Sequence, residues 1–214
     1  MKFIKKSGEP ASFQQWKSQE NEDWEPTWDD LRSPEKPQLH DSLLREQGYI
    51  CCYCQRRIFL EDSHIEHLKP RTHYPELAID YNNLLVSCQG EREEPPPLPI
   101  HCGHYKKDWY DPKLLVSPLE ENCERYFTYT ELGEIRPTSD PKLQEAAETT
   151  IEKLGLNIDK LRAMRRGAIE AITEGLDELE ELEKQKLIAG FTELKDNGEY
   201  TEFCTALAYI LRQF

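Results

Sequence analysis

The chain has 214 residues, which is enough for one hydrophobic core or for one core and a small satellite domain. No apolar run approaches the ~20 residues of a membrane helix, and the first lysines precede no apolar stretch. We therefore expect a cytoplasmic protein with no membrane segment and no secretory signal. The formal net charge is −14, whereas a protein that binds DNA unaided usually carries a basic surface. A local basic patch or a partner would have to bring a nucleic-acid substrate to this chain.

Residues 1–36 are predicted to be an irregular N-terminal arm. Three tryptophans stand in it among acidic and proline residues, namely Trp16, Trp24 and Trp28. We favour packing of these aromatic side chains onto the body of the protein. Stacking of nucleic-acid bases on them is the less favoured interpretation, because so many acidic residues surround them.

Residues 37–112 form the second predicted part and contain most of the cysteines and histidines. Leucines at helical spacing before Gly48 indicate a helix, and Asp80 is a suitable helix cap. Consecutive prolines cannot join a helix or a central strand, so they indicate an exposed insert. The predicted elements are a helix over 37–47, short strands over 57–60 and 63–68, a helix from near Tyr81 and the insert over 91–100.

Residues 113–214 are predicted to be a hairpin followed by helices, whose apolar stripes form core or dock a partner. The acidic run over 177–183 is interpreted as a solvated face, with partner binding less favoured. The predicted elements are a hairpin over 125–136 that turns near Leu132 and Gly133, a helix from Pro141 to Gly155, a helix from Leu161 to Leu182 that Gly175 could interrupt, and a last helix with Phe203, Leu207, Ile210 and Leu211 on one face.

Five of the seven cysteines lie between Cys51 and Cys102, beside five of the six histidines. Disulfides are not expected in the cytoplasm, and a C-x2-C pair is the usual half of a tetrahedral zinc site. Cys51 and Cys54 have this spacing, although Cys52 makes the pair ambiguous. Cys88 and Cys102 are the favoured second half.

Two histidines and two cysteines leave alternatives for the zinc site. His101 and His104 flank Cys102 and could compete with it as ligands. Cys123 and Cys204 are better explained as scattered buried thiols. In a small segment of loops and prolines, a structural Zn2+ would supply much of the folding free energy.

The segment His64-Ile65-Glu66-His67 has the highest density of potentially catalytic side chains in the sequence. A carboxylate is an oxygen ligand for a hard metal ion, and a neighbouring imidazole can accept a proton from water near neutral pH. Phosphodiester hydrolysis needs both functions. A zinc-protease H-E-x-x-H motif is absent. A zinc deaminase needs P-C-x-x-C downstream, whereas the C-x-x-C here lies upstream.

The order of these motifs resembles that of zinc-containing HNH endonucleases. The residues that carry the resemblance are Cys51-x2-Cys54, Glu66-His67, Asn83-Leu84-Leu85, Cys88 and Cys102-Gly103-His104-Tyr105-Lys106. More narrowly, HIEHLKP, YNNLLVSC and HCGHYKKD are similar to the HNH subunit of Septu anti-phage systems, which is also found beside some retrons. The resemblance covers residues 49–108.

The resemblance implies an α+β protein with a zinc-stapled ββα-metal core, an N-terminal arm and a mainly helical C-terminal region. It implies cleavage of nucleic acid, DNA rather than RNA, with Mg2+ or Mn2+, leaving a 3′-hydroxyl and a 5′-phosphate. It also implies an ATPase partner of the SMC or ABC-like kind. The implied roles are general base for His67, acidic metal ligand for Glu66, loop brace for Asn83, second metal ligand for His104 with His101 as substitute, and phosphate contact for Lys106 or Lys107.

Two questions stay open at this point. Neighbours on a regular strand face opposite sides, so Glu66 and His67 share a site only if the strand ends, bulges or twists there. His64 lies on the side of Glu66 and either orients it, touches the metal or is a partly buried hydrogen-bonded histidine. The alternative to a nuclease is a non-catalytic zinc scaffold or nucleic-acid-binding module, which leaves Glu66, His67 and Asn83 unexplained.

Overall fold

The computed structural model describes residues 1–88, 99–173 and 180–214. Within these residues the chain is an α+β protein with two separate two-stranded sheets and seven α-helices. None of the described helices is long and apolar enough to cross a membrane. The elements are α1 (Ala11–Lys17), α2 (Glu35–Glu46), β1 (Ser63–His67), β2 (Leu84–Cys88), α3 (Gly103–Lys106), β3 (Phe127–Tyr129), β4 (Ile135–Pro137), α4 (Pro141–Lys153), α5 (Asp159–Thr173), α6 (Glu181–Thr192) and α7 (Cys204–Leu211).

The first sheet positions the motif residues. Strands β1 and β2 pair antiparallel, with Glu66 opposite Leu85 and His67 opposite Leu84. Every residue of β2 is buried, whereas in β1 only Ser63 and Glu66 are buried, and this strand ends at His67. The predicted strand over 63–68 is thus confirmed. The predicted strand over 57–60 is wrong, because Arg57 forms only an isolated bridge with Ile50 and no partner strand reaches the residues after it in the described structure.

The segment before β2 shows how pairing limits a helix. Asp80 caps it as predicted, its carboxylate accepting a hydrogen bond from the Asn82 N–H at 2.9 Å. The helix is a single 3₁₀ turn over Tyr81–Asn83. The helix predicted to start near Tyr81 is therefore present but short, because the apolar residues that follow Asn83 pair with β1. Pairing of β2 with β1 thus outweighs any local preference of this segment for a helix.

The hairpin and α4 follow the prediction, whereas the helix predicted from Leu161 to Leu182 is not continuous. Glu180 has an extended backbone, and Leu182 lies in the separate helix α6. Strands β3 and β4 form the hairpin, with Gly133 at a φ of +75° in its turn. Asp140 caps α4, and Gly155 at a φ of +59° follows its end. Helix α7 is almost wholly buried. The predicted interruption at Gly175, residues 177–179 of the acidic run and most of the proline-rich insert lie outside the described residues.

The N-terminal arm belongs to the same hydrophobic core as the rest. Trp16 and Trp28 are buried, as the packing interpretation predicted, and Leu31 is fully buried beside the leucines of α2. Helix α1 was not predicted, because only Phe13 and Trp16 mark its buried face. The arm thus brings Trp28 to His67, whose ring centroid lies 4.4 Å from that of the tryptophan.

Candidate active site and metal centre

Four cysteines meet in the interior, as their spacing predicted. The Sγ atoms of Cys51, Cys54, Cys88 and Cys102 lie within 4.8 Å of one another, and all four residues are buried. The Sγ atoms of Cys54 and Cys88 are 3.8 Å apart. Sulfur atoms bound to one tetrahedral zinc ion at about 2.3 Å are separated by about 3.8 Å, so the four thiols are able to hold zinc.

The backbone around these cysteines is preformed. The Gln55 N–H donates to the Cys51 carbonyl at 3.0 Å and closes a tight turn between the first two ligands. The Cys88 N–H donates to the Cys51 sulfur at 3.3 Å. Cys102 has a φ of +56°, a strained conformation for a residue with a side chain. Its N–H donates to the Leu154 carbonyl at 2.8 Å, which ties the fourth cysteine to the region after α4.

His101 and Cys52 lie beside the four cysteines without belonging to the group. The Nδ1 atom of His101 is 3.2 Å from the Cys102 sulfur and 3.6 Å from the Cys88 sulfur. His101 is fully buried on this side of the protein. Burial and the neighbouring Cys51 thiol raise the pKa of Cys52 well above its ordinary value, so this thiol stays protonated.

Glu66 is a buried carboxylate with a partner on each oxygen. Its Oε1 atom lies 2.9 Å from Lys106 Nζ and accepts a hydrogen bond from the Tyr53 hydroxyl at 3.1 Å. Its Oε2 atom lies 3.4 Å from His64 Nε2. Burial alone would raise the pKa of Glu66, but the His64 hydrogen bond and the Lys106 charge outweigh it and lower that pKa. The carboxylate is therefore ionised and is a suitable ligand for a cation.

The space between Glu66 and His64 fits a divalent ion. Two ligand atoms at about 2.1 Å from one ion are separated by about 3.0–3.4 Å, and the two atoms here are 3.4 Å apart. Gly103 faces this space, since a Cβ on it would lie 2.4 Å from Glu66 Oε2 and 2.8 Å from His64 Nε2. The His104 ring contacts the His64 ring, with centroids 4.3 Å apart and the two planes tilted by 36°.

His67 points away from Glu66 into a hydrogen-bonded pocket. Its Nε2 atom lies 2.9 Å from the Ala78 carbonyl, which can only accept, so Nε2 carries the proton and Nδ1 is the basic nitrogen. Burial lowers the pKa of His67 to about 4, with the hydrogen bond to Ala78 opposing it and the charge of Arg71 adding to it. The imidazole is therefore neutral near neutral pH.

Asn83 braces the loop that follows β1. Its amide nitrogen donates to the carbonyls of Lys69 at 3.0 Å and Leu77 at 3.1 Å, and its oxygen accepts from the Lys69 N–H at 2.8 Å. Leu77 precedes Ala78, whose carbonyl holds the His67 ring. Asn83 thereby fixes the loop that orients this histidine.

Glu66 and His67 nevertheless line one cavity of about 390 Å³, because β1 ends at His67. We call it the His67 cavity. The cationic residues that line this cavity are Arg71, Lys106 and Lys107. The Lys106 side chain is 1% exposed and contacts Glu66, whereas Lys107 is exposed. Of the two lysines in the motif, Lys106 neutralises the carboxylate, and Lys107 is accessible to a phosphate.

Comparison with known proteins agrees with the motifs. The chain is 32% identical over 139 residues to the "Retron Vc95 putative HNH endonuclease" of Vibrio cholerae serotype O1 biovar El Tor, a match that covers 63% of this chain and 64% of that protein, under two thirds of its length. It is 27% identical to the "Retron Ec83 putative HNH endonuclease" of Escherichia coli (78% of each chain) and 26% identical to the "Septu protein PtuB" of Bacillus thuringiensis (82% of this chain, 69% of that one). No family model matches the chain.

The chain is a homologue of these two retron proteins, which are named as putative HNH endonucleases, and of the Septu protein PtuB. These relatives confirm the resemblance to the HNH family of Septu and retron systems that the motifs indicated. The described structure adds residues that sequence reasoning missed. Tyr53 lies inside the C-x2-C motif and could have been noticed there, but its hydrogen bond to Glu66 depends on the fold. Trp28 lies 39 positions before His67 in the chain, and no local pattern links the two.

Gly103 provides a test of the space beside Glu66. If Glu66 and His64 hold an ion, the Gly103→Ala chain is expected to bind Mn2+ there at least about tenfold more weakly, because the methyl group displaces Glu66 or His64 by overpacking. Structural zinc should be retained. Isothermal titration with Mn2+ after zinc loading measures this.

The matched control for this substitution is Gly167→Ala in α5. A Cβ on Gly167 meets no atom within 4 Å, and alanine favours a helix over glycine by about 1 kcal/mol. The control should bind Mn2+ like the wild type and unfold at a slightly higher temperature. Equal Mn2+ binding by both variants would show that the space beside Gly103 holds no ion.

Proposed function

We propose that the chain is a metal-dependent HNH endonuclease that hydrolyses phosphodiester bonds of nucleic acid, DNA in preference to RNA. One observation carries the proposal. The ionised Glu66 carboxylate and the oriented, neutral His67 ring line the same cavity, together with the cations Arg71 and Lys107. A carboxylate, a base and phosphate-binding cations at one place are the parts that hydrolysis of a phosphodiester needs.

His67 acts as the general base in this proposal. Its Nδ1 atom takes a proton from the attacking water, while the Ala78 carbonyl holds the ring through the Nε2 proton. The water oxygen bonds to phosphorus in line with the leaving oxygen, and the bond from phosphorus to the 3′-oxygen breaks. The leaving 3′-oxygen takes a proton from solvent water, so the products are a 3′-hydroxyl and a 5′-phosphate. Because the pKa of His67 is about 4, the base needs no deprotonation at neutral pH.

Glu66, with His104 and His64 beside it, is proposed to hold the catalytic ion, and the four cysteines the structural Zn2+. An ion of the Mg2+ or Mn2+ type, when bound, neutralises negative charge that develops on the phosphate. Lys106 contacts Glu66 from the buried side and keeps its carboxylate ionised and in place. Lys107 and Arg71 are the side chains that contact the phosphate of the substrate.

The setting of this activity is also a proposal. The relatives named for retrons and for Septu support an effector role in an anti-phage defence complex with an ATPase partner of the SMC or ABC-like kind. The net charge of −14 supports a partner, because such a chain gains little affinity for nucleic acid from its total charge. The protein is proposed to act in the cytoplasm.

The test is cleavage of supercoiled plasmid DNA and of cellular RNA by the full chain, with Mn2+, Mg2+ or a chelator, alone and with its co-purifying partner. Metal-dependent cutting that the His67→Ala chain lacks supports the nuclease and identifies the substrate. Resealing of cut DNA by a ligase reports a 5′-phosphate beside a 3′-hydroxyl. Absence of cutting under all conditions, with zinc bound and the protein folded, contradicts the proposal and favours a zinc scaffold.

A further inference from the structure

A second and larger cavity lies beside the His67 cavity. It has a volume of about 690 Å³, and its lining includes Trp28, Arg32, Lys36, Leu60 and His64. We call it the Trp28 cavity. Ile65 of β1 lines both cavities, so they adjoin across this strand. A molecule bound in one is therefore within reach of the other.

Cations are gathered around Trp28 between the two cavities. Lys36 Nζ lies 4.9 Å and the Arg71 guanidinium 5.6 Å from the centre of the Trp28 ring. Arg71 is paired with Asp29 on the surface. Neither Arg32 nor Lys36 forms an ion pair with a carboxylate in the described parts of the chain, so their charges are available to a ligand.

The charge of the Trp28 cavity differs from that of the protein. Acidic residues number 41 in the chain of 214, yet no Asp or Glu occurs among the described residues that line this cavity. Burial and the nearby charges of Arg32 and Arg71 lower the pKa of Lys36. Gathering like charges costs free energy, and a bound anion removes that cost.

The apolar lining indicates more than a simple anion. Trp28, Leu60 and Ile65 provide hydrophobic surface, and Leu60 is 40% exposed. A nucleotide has both parts that this lining suits, a flat base for the apolar surface and a phosphate for the cations. Trp28 is itself buried against the arm and His67, so it supports the cations and presents only part of its ring.

We infer that the Trp28 cavity binds a nucleotide of the nucleic-acid strand next to the phosphodiester that is cut, with Arg32 and Lys36 on its phosphate. The inference rests on the proposed function. It supplies the local basic patch that the acidic composition required. It also gives the N-terminal arm a role in substrate binding, through residues on either side of the start of α2.

Binding can be measured without cleavage in a His67→Ala background. The probe is a fluorescein-labelled single-stranded DNA of about 20 nucleotides, with RNA of the same sequence as a second arm, followed by anisotropy over a range of salt concentrations. Adding Arg32→Glu and Lys36→Glu should weaken binding by on the order of tenfold or more. The dependence of log Kd on log salt should become shallower by about one unit for each side chain that no longer binds a phosphate.

The matched control is Lys113→Glu with Lys142→Glu in the same background. It changes the net charge by the same amount, and both residues are exposed. Lys142 is the second residue of α4 as Lys36 is of α2, and glutamate is favourable at that position. The control should change Kd less than twofold. The conservative pair Arg32→Lys with Lys36→Arg should keep wild-type affinity.

The outcomes separate this inference from the nuclease proposal. Loss of binding by the Arg32→Glu, Lys36→Glu chain but not by the control chain supports nucleotide binding in the Trp28 cavity, even if the wild type never cuts. Equal losses of affinity in both charge-reversed chains would show that only the net charge matters, and would overturn the inference. Unchanged binding, or no binding by the folded, zinc-loaded His67→Ala chain at low salt, also overturns it. Normal cutting by the Arg32→Glu, Lys36→Glu chain with His67 intact would overturn it while leaving the nuclease standing.

Discussion

Cleavage by the His67→Ala chain is expected to be on the order of a thousandfold slower than cleavage by the wild type, within the range that a general base contributes. The hydrogen bond from Nε2 to Ala78 fixes the ring and leaves Nδ1 as the basic nitrogen of a residue that lines the cavity. Alanine removes that base and touches neither Glu66 nor the cysteines. Zinc content and the cooperativity of unfolding should be unchanged, and initial rates on the identified substrate measure the effect.

Two further variants make the His67 experiment specific. His67→Gln keeps a side-chain donor for the Ala78 carbonyl and much of the contact with Trp28, yet provides no base, so it should be as inactive as alanine. His73→Ala removes an exposed histidine from the same loop and should cut normally. Added imidazole should partly restore the alanine chain. Wild-type-like cutting by His67→Gln would show that His67 positions the loop and does not accept a proton.

The motif residues were predictable because each chemical role restricts the residue type. Zinc needs thiols at a turn spacing, and the four cysteines that the spacing indicated are the ones that meet. The hairpin and α4 were predictable for a similar reason, since Gly133 and Asp140 carry local signals that do not depend on the rest of the fold. Local chemistry was therefore the most reliable guide.

The strand β2 and the burial of Lys106 were not predictable from local pattern. Leu84 to Cys88 are all buried, so the sequence shows no alternation that would mark a strand. Lys106 stands next to Lys107 in the sequence, and only the fold turns one to Glu66 and leaves the other exposed. Arrangements that depend on contacts between distant segments need the structure.

The buried pair of Glu66 and Lys106 shows how an acidic protein can keep an ionised carboxylate at the proposed hydrolytic site. A buried carboxylate without a partner would take up a proton and lose its affinity for cations. Lys106 prevents this from inside the protein, so the surface cations Lys107 and Arg71 are not needed to keep Glu66 ionised. The local charge of the site is thus set by a few residues, independently of the net charge of −14.

Removing one zinc ligand is expected to have the largest effect on stability. The Cys54→Ala chain should lose one equivalent of zinc and its cooperative unfolding transition. A structural zinc ion contributes about 10 kcal/mol or more of folding free energy in small zinc domains, which is comparable with the total stability of about 5–15 kcal/mol of an ordinary domain. Because Cys88 ends β2 and Cys102 precedes α3, loss of the ion releases both elements of the site.

The neighbouring cysteine is the control that isolates the role of zinc. Cys52 is as buried as Cys54 but lies outside the group of four, and its pKa is raised well above the ordinary value. Cys52→Ala should keep the zinc and lose only about 1–2 kcal/mol for the small cavity left by the sulfur. Zinc content by mass spectrometry and thermal unfolding distinguish the two chains. If Cys52→Ala lost the zinc and Cys54→Ala retained it, Cys52 would be the ligand in place of Cys54. The assignment of the C-x2-C pair Cys51 and Cys54 would then be wrong.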